Sequence, residues 1–352
     1  MDENTGLSMK PPSVTVIVPN YNHAPYLRQR LDSILAQSFQ DFELILLDDC
    51  SSDDSLSILK EYAQKRPETK LIVNEKNSGS PFAQWNKGAQ LARGHFLWIA
   101  ESDDLAHTEL LARNVAALLA HPKAVMAYCQ SVFINEKGEE GNNYRENYQY
   151  IYKTDRWEND FYSEGVEECR RYMLRHNSIP NASAVLFRKK EFLEAGPLPV
   201  DWKLNGDWMF YCKLLQTGGL AFSAETLNYF RKHEQTQRQR ANADATAYFE
   251  ILQLADFISD KNAPDAEFRK HCYAQFANWW IGSLFRQHRS WKYWRDNFKL
   301  YKRFRAYRDF LLLRIGYTAL YLVLIHIIEI LRIKERVKKW RHRLFPGKYF
   351  EH

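Results

Sequence analysis

The feature that most narrows what this chain can fold into is an alternation. From Val14 to about Phe133, short apolar runs of strand length take turns with stretches of helical spacing. Residues 14–18 (Val-Thr-Val-Ile-Val) read as a buried strand bounded by Pro19 and Asn20. Leu27, Leu31, Ile34 and Leu35 then recur at helical spacing, and a second strand over 42–47 ends in Asp48 and Asp49. The pattern repeats with a helix over 55–63, a strand over 70–73, a helix over 82–92 and a strand over 96–100. That last strand runs into Glu101-Ser102-Asp103-Asp104. Such alternation predicts a largely parallel sheet with helices on both faces. Ligands of open parallel sheets bind at the carboxyl ends of the strands. Here those ends carry Pro19-Asn20-Tyr21-Asn22, Asp48-Asp49 and Asp103-Asp104, so three separate stretches converge on one edge.

Beyond Phe133 the sequence is less regular. Residues 135–159 are polar and rich in Tyr, Asn and Glu, and read as a loop or excursion. Periodic segments resume as a helix near 166–175, a strand over 184–187 and a helix after Gly206. From about Ala241 the composition turns helical, aromatic and strongly basic. The formal net charge of +6 favours anionic partners such as nucleotides, diphosphate lipids or membrane surfaces, and no nucleic-acid motif accompanies it. The five cysteines lie far apart without C-x-x-C spacing, which speaks against a disulfide framework or zinc site and for a reducing compartment. Residues 1–12 are polar and acidic with no apolar core, so they do not read as a signal peptide.

The acids after the fourth strand are the strongest local signal. Carboxylates at i and i+2 offer hard oxygen ligands suited to Mg²⁺ or Mn²⁺, although an isolated cluster of this kind is more often a solvated turn. Asp48-Asp49 alone would likewise read as a turn, and Ser51-Ser52-Asp53 as a helix cap. Order and context change that reading. Val16 to Asn22, then Leu46 to Asp53, then Asn77-Ser78-Gly79, then Ala100 to Asp104, closely resemble the family 2 glycosyltransferases of the GT-A fold. The likeness is close over residues 14–105 and looser to about 235.

The resemblance implies a fold, a reaction and a set of roles. The fold is α/β of GT-A type, a mostly parallel sheet flanked by helices, with a C-terminal helical segment. Residues 13–240 would form the catalytic domain, divided into a nucleotide-binding half (13–105) and an acceptor half (106–240), with 241–352 as the basic, aromatic segment. Pro19, Tyr21 and Asn22 would line the nucleoside pocket with Asp48, Asn77 and Ser102, and Asp49 would accept a hydrogen bond from the base. Asp103 would lie at ribose and metal with Asp104 beside it, and His233, in Tyr229-Phe230-Arg231-Lys232-His233, would reach the metal or the diphosphate. Asp207, behind Gly206, would be the general base of an inverting transfer; by itself it reads as a helix cap. Asn181 to Arg188 matches the strand before that segment and by itself reads as a plain strand with a cap. Two departures stand out. Glu101 replaces the usual first Asp, and Trp85 stands before Asn86-Lys87-Gly88 where many members have Arg, with Lys87 as a substitute phosphate contact.

In the tail, Arg286, Arg289, Lys292, Arg295, Lys299, Lys302, Arg303, Arg305 and Arg308 are interleaved with Trp291, Trp294, Phe298, Tyr301, Phe304 and Tyr307. That mixture suits in-plane attachment to an anionic membrane surface, the reading preferred, with a basic helical subdomain packed on the core as the alternative. The apolar run over 320–328 is too short to span a bilayer. The expectation is therefore a metal-dependent glycosyltransferase at the cytoplasmic face of the cell membrane. It would move a sugar from a nucleotide-sugar donor, UDP-linked by preference, to a saccharide or polyprenyl-diphosphate-linked acceptor in surface polysaccharide synthesis. One rival, a sugar-nucleotidyltransferase, would carry a Gly-rich basic loop after the first strand, which Pro19 to His23 lacks. Another, an inactive membrane-associated binding module, would have no use for Asp49, Asp103, Asp104 and Asp207 together.

Overall fold

The computed structural model describes residues 12–66, 68–232, 245–284 and 291–307, and a helix over 311–330 with its side chains to residue 321. The expected alternation is present with ends shifted by a few residues. It runs β1 (Val14–Asn20), α1 (Ala24–Leu35), β2 (Phe42–Asp48), α2 (Ser55–Lys65), β3 (Lys70–Val73), α3 (Pro81–Leu91) and β4 (Phe96–Ile99). These strands form a parallel ladder in the order β3-β2-β1-β4, with Val14 opposite both Phe42 and Phe96 and Asn20 opposite Asp48. That register brings Asn20 and Asp48 to the same edge. Strand periodicity divides the core: Val14, Val16 and Val18 pack with Leu27, Leu31 and Ile34 of α1 and with Leu59 and Tyr62 of α2. Ile17 joins Phe82, Trp85 and Ala89 of α3 in the other hydrophobic cluster.

The chain continues as β5 (Leu105–Ala106), α4 (Leu110–Ala120), β6 (Ala124–Ile134), β7 (Glu140–Asn143), α5 (Tyr144–Tyr152), β8 (Phe161–Ser163) and α6 (Gly165–Glu168), which leads into a π-helical turn, Cys169–Met173. Then follow β9 (Val185–Arg188), α7 (Lys189–Glu194), α8 (Gly206–Leu214) and β10 (Gly219–Arg231). The sheet extends as β4-β9-β6-β10-β5, and here it is mixed. β9 runs antiparallel to both β4 and β6, β10 runs parallel to β6, and β5 pairs antiparallel with β10. The largely parallel character expected of the sheet is complete in β3-β2-β1-β4, whereas the second half combines the parallel β6–β10 pair with antiparallel neighbours.

Residues 135–159 are not a plain loop. Besides β7 and α5, they build a buried aromatic stack in which Trp157 lies 4.4 Å from Tyr148 and 4.8 Å from Tyr152. The Trp157 indole N–H donates to the Tyr128 hydroxyl at 2.8 Å. The apolar content of this stretch is carried by rings with polar tips, so its hydropathy reads as solvent-facing although the rings are core.

The C-terminal segment forms α9 (Thr246–Asn262), α10 (Ala266–Ser283), α11 (Trp291–Phe304) and α12 (Leu311–Ile330). Ile251, Leu254 and Ile258 of α9, Phe276 and Trp280 of α10, and Leu300 and Phe304 of α11 belong to the same hydrophobic cluster as Phe82, Trp85 and Phe210. With about 1.5–3 kcal/mol for each fully buried large side chain, core packing holds these helices to the sheet domain. No described helix is long and apolar enough to cross a membrane.

Candidate active site

The polar edge is built from the ends of β1, β2 and β4. Asn20 donates its side-chain amide to Asp48 at 3.0 Å and to the Ser51 hydroxyl at 3.1 Å. Asp48 also accepts from the Ser51 backbone amide at 2.9 Å, and Ser51 accepts in turn from the Asn22 backbone at 3.0 Å. Asn22 (φ 55°) and Cys50 (φ 62°) take left-handed conformations, so both loops turn sharply. Between them Tyr21 stands out, 46% exposed, at the mouth of the edge. Pro19, by contrast, is buried within β1.

Asp49 is the hub of the neighbouring loop. Its buried carboxylate accepts from Asn74 (2.7 Å), the Ser78 backbone (2.9 Å), the Ser78 hydroxyl (2.7 Å) and Gln84 (2.8 Å). Asn77 donates to the Asp49 carbonyl at 3.3 Å, and Lys87 donates to Asn74 at 2.6 Å. Asn77, Ser78 and Lys87 are therefore joined in one network around Asp49. Its first task is to order residues 74–84, the wall of the proposed nucleoside pocket.

After β4, the acids divide by environment. Glu101 accepts from the Trp85 indole N–H at 2.7 Å, so the two residues singled out as departures in the sequence are partners of each other. Burial, with the charges of Asp103 and Asp104, pushes the Glu101 carboxyl up to about 8 despite that bond. Asp104 is buried and committed to the sheet, accepting from Asn181 at 3.1 Å and from the Arg231 backbone at 2.9 Å. Burial and the neighbouring Asp103 push it up to about 7. Asp103 is half-buried, and its carbonyl accepts from the Arg231 guanidinium at 2.7 Å. Ser102, also buried, meets His23 Nδ1 at 2.8 Å. Among the described residues no three acidic, histidine or cysteine side chains form a ready-made metal site.

The segment bearing Asp207 reaches this edge through α3. A Cβ on Gly206 would collide with the Phe82 ring, Phe82 packs edge-on against Trp85 at 5.5 Å, and Trp85 is tied to Glu101. The buried Tyr211 hydroxyl feels the charges of both Asp207 and Glu101, and with burial foremost they push it well above its ordinary value. Asp207 itself opens α8 and accepts from the Trp208 backbone at 2.7 Å. Thus Tyr21, Asn22, Asp48, Asp49, Asn77, Lys87, Ser102, Asp103 and Asp104 gather at the strand ends, with Asp207 alongside. His233 lies outside the described residues, as do Arg286, Arg289 and Arg308.

Several participants are residues to which the sequence assigns no role of their own. Arg231, buried, binds Asp103 and Asp104 as above, donates to Gln29 at 2.9 Å and to the Asn135 carbonyl at 2.9 Å, and stacks over Tyr26. Asn181 and Ser183, expected only as a strand and its cap, touch Asp104 and the Glu101 backbone (3.1 Å) respectively. Arg30 of α1 is fully buried, 4.9 Å from the Trp98 ring, and none of its guanidinium nitrogens meets a hydrogen-bond partner among the described residues. Burial pulls it down to about 10, against the attraction of Asp104, Asp103 and Glu101.

The comparisons with known proteins agree with this geometry. The model of glycosyl transferase family 2 matches residues 15–179. Over 132 residues the chain is 33% identical to an uncharacterised glycosyltransferase of Haemophilus influenzae, covering 38% of this chain and 52% of that one. It is 35% identical over 114 residues to the poly(ribitol-phosphate) beta-N-acetylglucosaminyltransferase TarS of Staphylococcus aureus, covering 32% of this chain and 20% of TarS. The chain thus spans 20% to 52% of the length of these relatives. The crystal structure of TarS 1-349 in complex with UDP-GlcNAc superposes with a TM-score of 0.59 at 21% identity, over 76% of this chain and 72% of that one. A Pyrobaculum calidifontis mannosyltransferase in complex with GDP-Man and Mn²⁺ superposes with a TM-score of 0.53 at 15% identity, over 92% and 88%. Over residues 15–179 the chain is thus similar to the family 2 glycosyltransferases, and its fold is GT-A.

Proposed function

We propose that the protein is an inverting, metal-dependent glycosyltransferase that takes a sugar from a nucleoside-diphosphate donor, UDP-linked by preference. The acceptor is a saccharide or lipid-linked saccharide of a surface polysaccharide. The observation that carries this reading is the meeting of Tyr21, the Asp49 network and Asp103 at one sheet edge with Asp207 beside them. Tyr21 offers an exposed ring to a nucleobase, and the loop ordered by Asp49 walls the pocket. Asp207 takes the proton of the acceptor hydroxyl as that oxygen bonds to the anomeric carbon; the bond from that carbon to the diphosphate breaks, and the nucleoside diphosphate leaves. One carboxylate suffices, because the leaving group departs as an anion rather than needing a proton, unlike the two-acid case of hydrolases.

The residues present suit a divalent cation. Hard oxygens crowd the end of β4, where burial, and after it the charge of Asp103, raises the carboxyls of Glu101 and Asp104. With Asp104 engaged by Asn181 and Arg231, Asp103 is the acid that would reach the ion, with His233 as a further ligand and donor phosphates completing the shell. A bound Mg²⁺ or Mn²⁺ would neutralise charge growing on the departing diphosphate. Catalysis takes place at the cytoplasmic face of the cell membrane. Supporting this, α11 turns Trp291 (84% exposed), Trp294 and Phe298 to solvent among Lys292, Arg295, Lys299 and Lys302, while its other face packs on the core.

The test is calorimetry with UDP. Binding should require Mn²⁺ or Mg²⁺, and a hundredfold excess of ligand over Kd should stabilise the fold by about 2.7 kcal/mol. Asp103→Ala should remove the metal-dependent part. Equal UDP affinity in EDTA would exclude this site as metal-dependent.

A further inference from the structure

We propose that Glu250 of α9 is a positioning residue for Asp207, so that the C-terminal helical segment completes the catalytic site of the sheet domain. The proposal rests on Asp207 being the general base. Glu250 is 4% exposed, and its carboxylate is bound by three successive backbone N–H groups: Lys203 at 2.6 Å, Leu204 at 3.1 Å and Asn205 at 3.0 Å. The Asn205 side chain adds a fourth bond at 3.2 Å and reaches the Ala247 carbonyl at 3.4 Å. Consecutive backbone amides turned onto one anion form a nest, and charge-assisted bonds of this kind are stronger than neutral ones. The nest ends two residues before Asp207.

The far end of the same two helices is tied as well. Asn262, the last residue of α9, donates to Gln216 at 2.9 Å and accepts from it at 3.3 Å. Glu250 and Asn262 are twelve residues apart, a rise of about 18 Å along a helix. Their partners, residues 203–205 and Gln216, bracket α8. Helix α9 therefore lies along α8 as a splint, fastened beyond both ends of the base-bearing helix. From the other side Phe82 closes on Gly206 and leaves no room for a Cβ. Asp207 is held between an aromatic stop and a carboxylate clamp. A general base has to come within about 2.6–3.2 Å of the proton it takes, and a misplacement near 1 Å costs on the order of 10²-fold in rate. The clamp acts on that tolerance and touches neither donor nor acceptor.

The experiment uses the full chain with Glu250→Gln, an isosteric change that loses the charge and turns an N–H₂ toward the amides. Turnover is followed as nucleoside diphosphate released from the nucleotide sugar that the wild-type chain consumes. Binding is followed with UDP and Mn²⁺, and the turn by hydrogen exchange at residues 203–205. Expected are a kcat at least tenfold lower, a donor KM and UDP affinity within threefold of wild type, and faster exchange confined to the turn. In an Asp207→Asn background the same substitution should cost less than twofold more. Faster exchange with unchanged kcat would leave Glu250 a purely structural residue and overturn the proposal, as would an equal loss in both backgrounds. If Glu250→Gln fails to fold, Glu250→Asp keeps the charge but withdraws it by one methylene, and the same fall in kcat with UDP binding intact is expected. Near-normal turnover by Asp207→Asn alone would instead remove the base reading, whatever Glu250 does.

Discussion

Two regions of the polar edge hold their residues by different means. Around Asp48 and Asp49 the ties are short in sequence: Asn20 to Asp48 spans 28 residues, Asp49 to Ser78 spans 29 and Asp49 to Gln84 spans 35. Around the acids after β4 and ahead of Asp207 they are longer: Asp104 reaches Asn181 across 77 residues and Arg231 across 127, and the turn before Asp207 is held by Glu250 across 45 to 47. A pocket closed by neighbouring βα units is a property of a short stretch of chain. An acid held by distant strands, and the turn before the proposed base held by a C-terminal helix, are properties of segments far apart in the chain. The difference teaches that the proposed donor side can be read as motifs, whereas the region around Asp104 and Asp207 has to be read as packing.

Substitutions on either side break or sharpen this contrast. The largest effect is expected from Asp207→Asn, which keeps the shape of the side chain and much of its capping ability. Transfer should fall by roughly 10² to 10⁴, while Tm and UDP affinity stay close to wild type; a helix cap alone would tolerate Asn with activity intact. Asp49→Ala should have the opposite profile. It removes the acceptor of the Asn74 amide, the Ser78 N–H and the buried Gln84 amide, and a buried donor left unmade costs about 1–3 kcal/mol. Urea unfolding should report that loss, and UDP affinity should fall at least tenfold because the pocket wall is no longer ordered. Wild-type UDP binding by this variant would mean that the network does not shape the pocket. The smallest effect concerns α11. Trp291→Ser with Phe298→Ser should weaken partitioning onto anionic vesicles about tenfold and leave UDP binding unchanged. Added salt should weaken vesicle binding of the intact chain. Indifference of the intact chain to anionic vesicles at low salt would leave those rings as ordinary surface.

Legibility in the sequence follows the same division. β1 to β4, the intervening helices and the acids at the strand ends were visible because local periodicity and local chemistry coincide there. The buried stack of Tyr148, Tyr152 and Trp157 was hidden by polar atoms on aromatic rings, which made a core segment look like a loop. The mixed half of the sheet was not visible either, because the antiparallel entry of β9 between β4 and β6 is set by where the chain returns rather than by strand composition. Asp104 could be picked out but not separated from Asp103, since only Asn181 and Arg231 make one acid structural. Arg30, Arg231 and Glu250 read as ordinary helix and strand charges; their burial is a tertiary fact. In the C-terminal segment, one face of α11 packs on the core, and the proposed membrane contact rests on the exposed rings of its opposite face.

The 127-residue reach from Asp104 to Arg231 also sets a timetable for biosynthesis. The parallel ladder of β1 to β4 has all its partners once residue 99 has emerged from the ribosome. Among the described residues, the short strand β5, which follows the acids, pairs only with Asn228 and Tyr229 of β10. At about 5–20 residues per second, some 6–25 s separate the two events. During that interval a nascent chain has the ladder that frames the proposed nucleoside pocket while Asp104 still lacks the Arg231 backbone amide, so the proposed donor side is older, by seconds, than the acidic corner next to it.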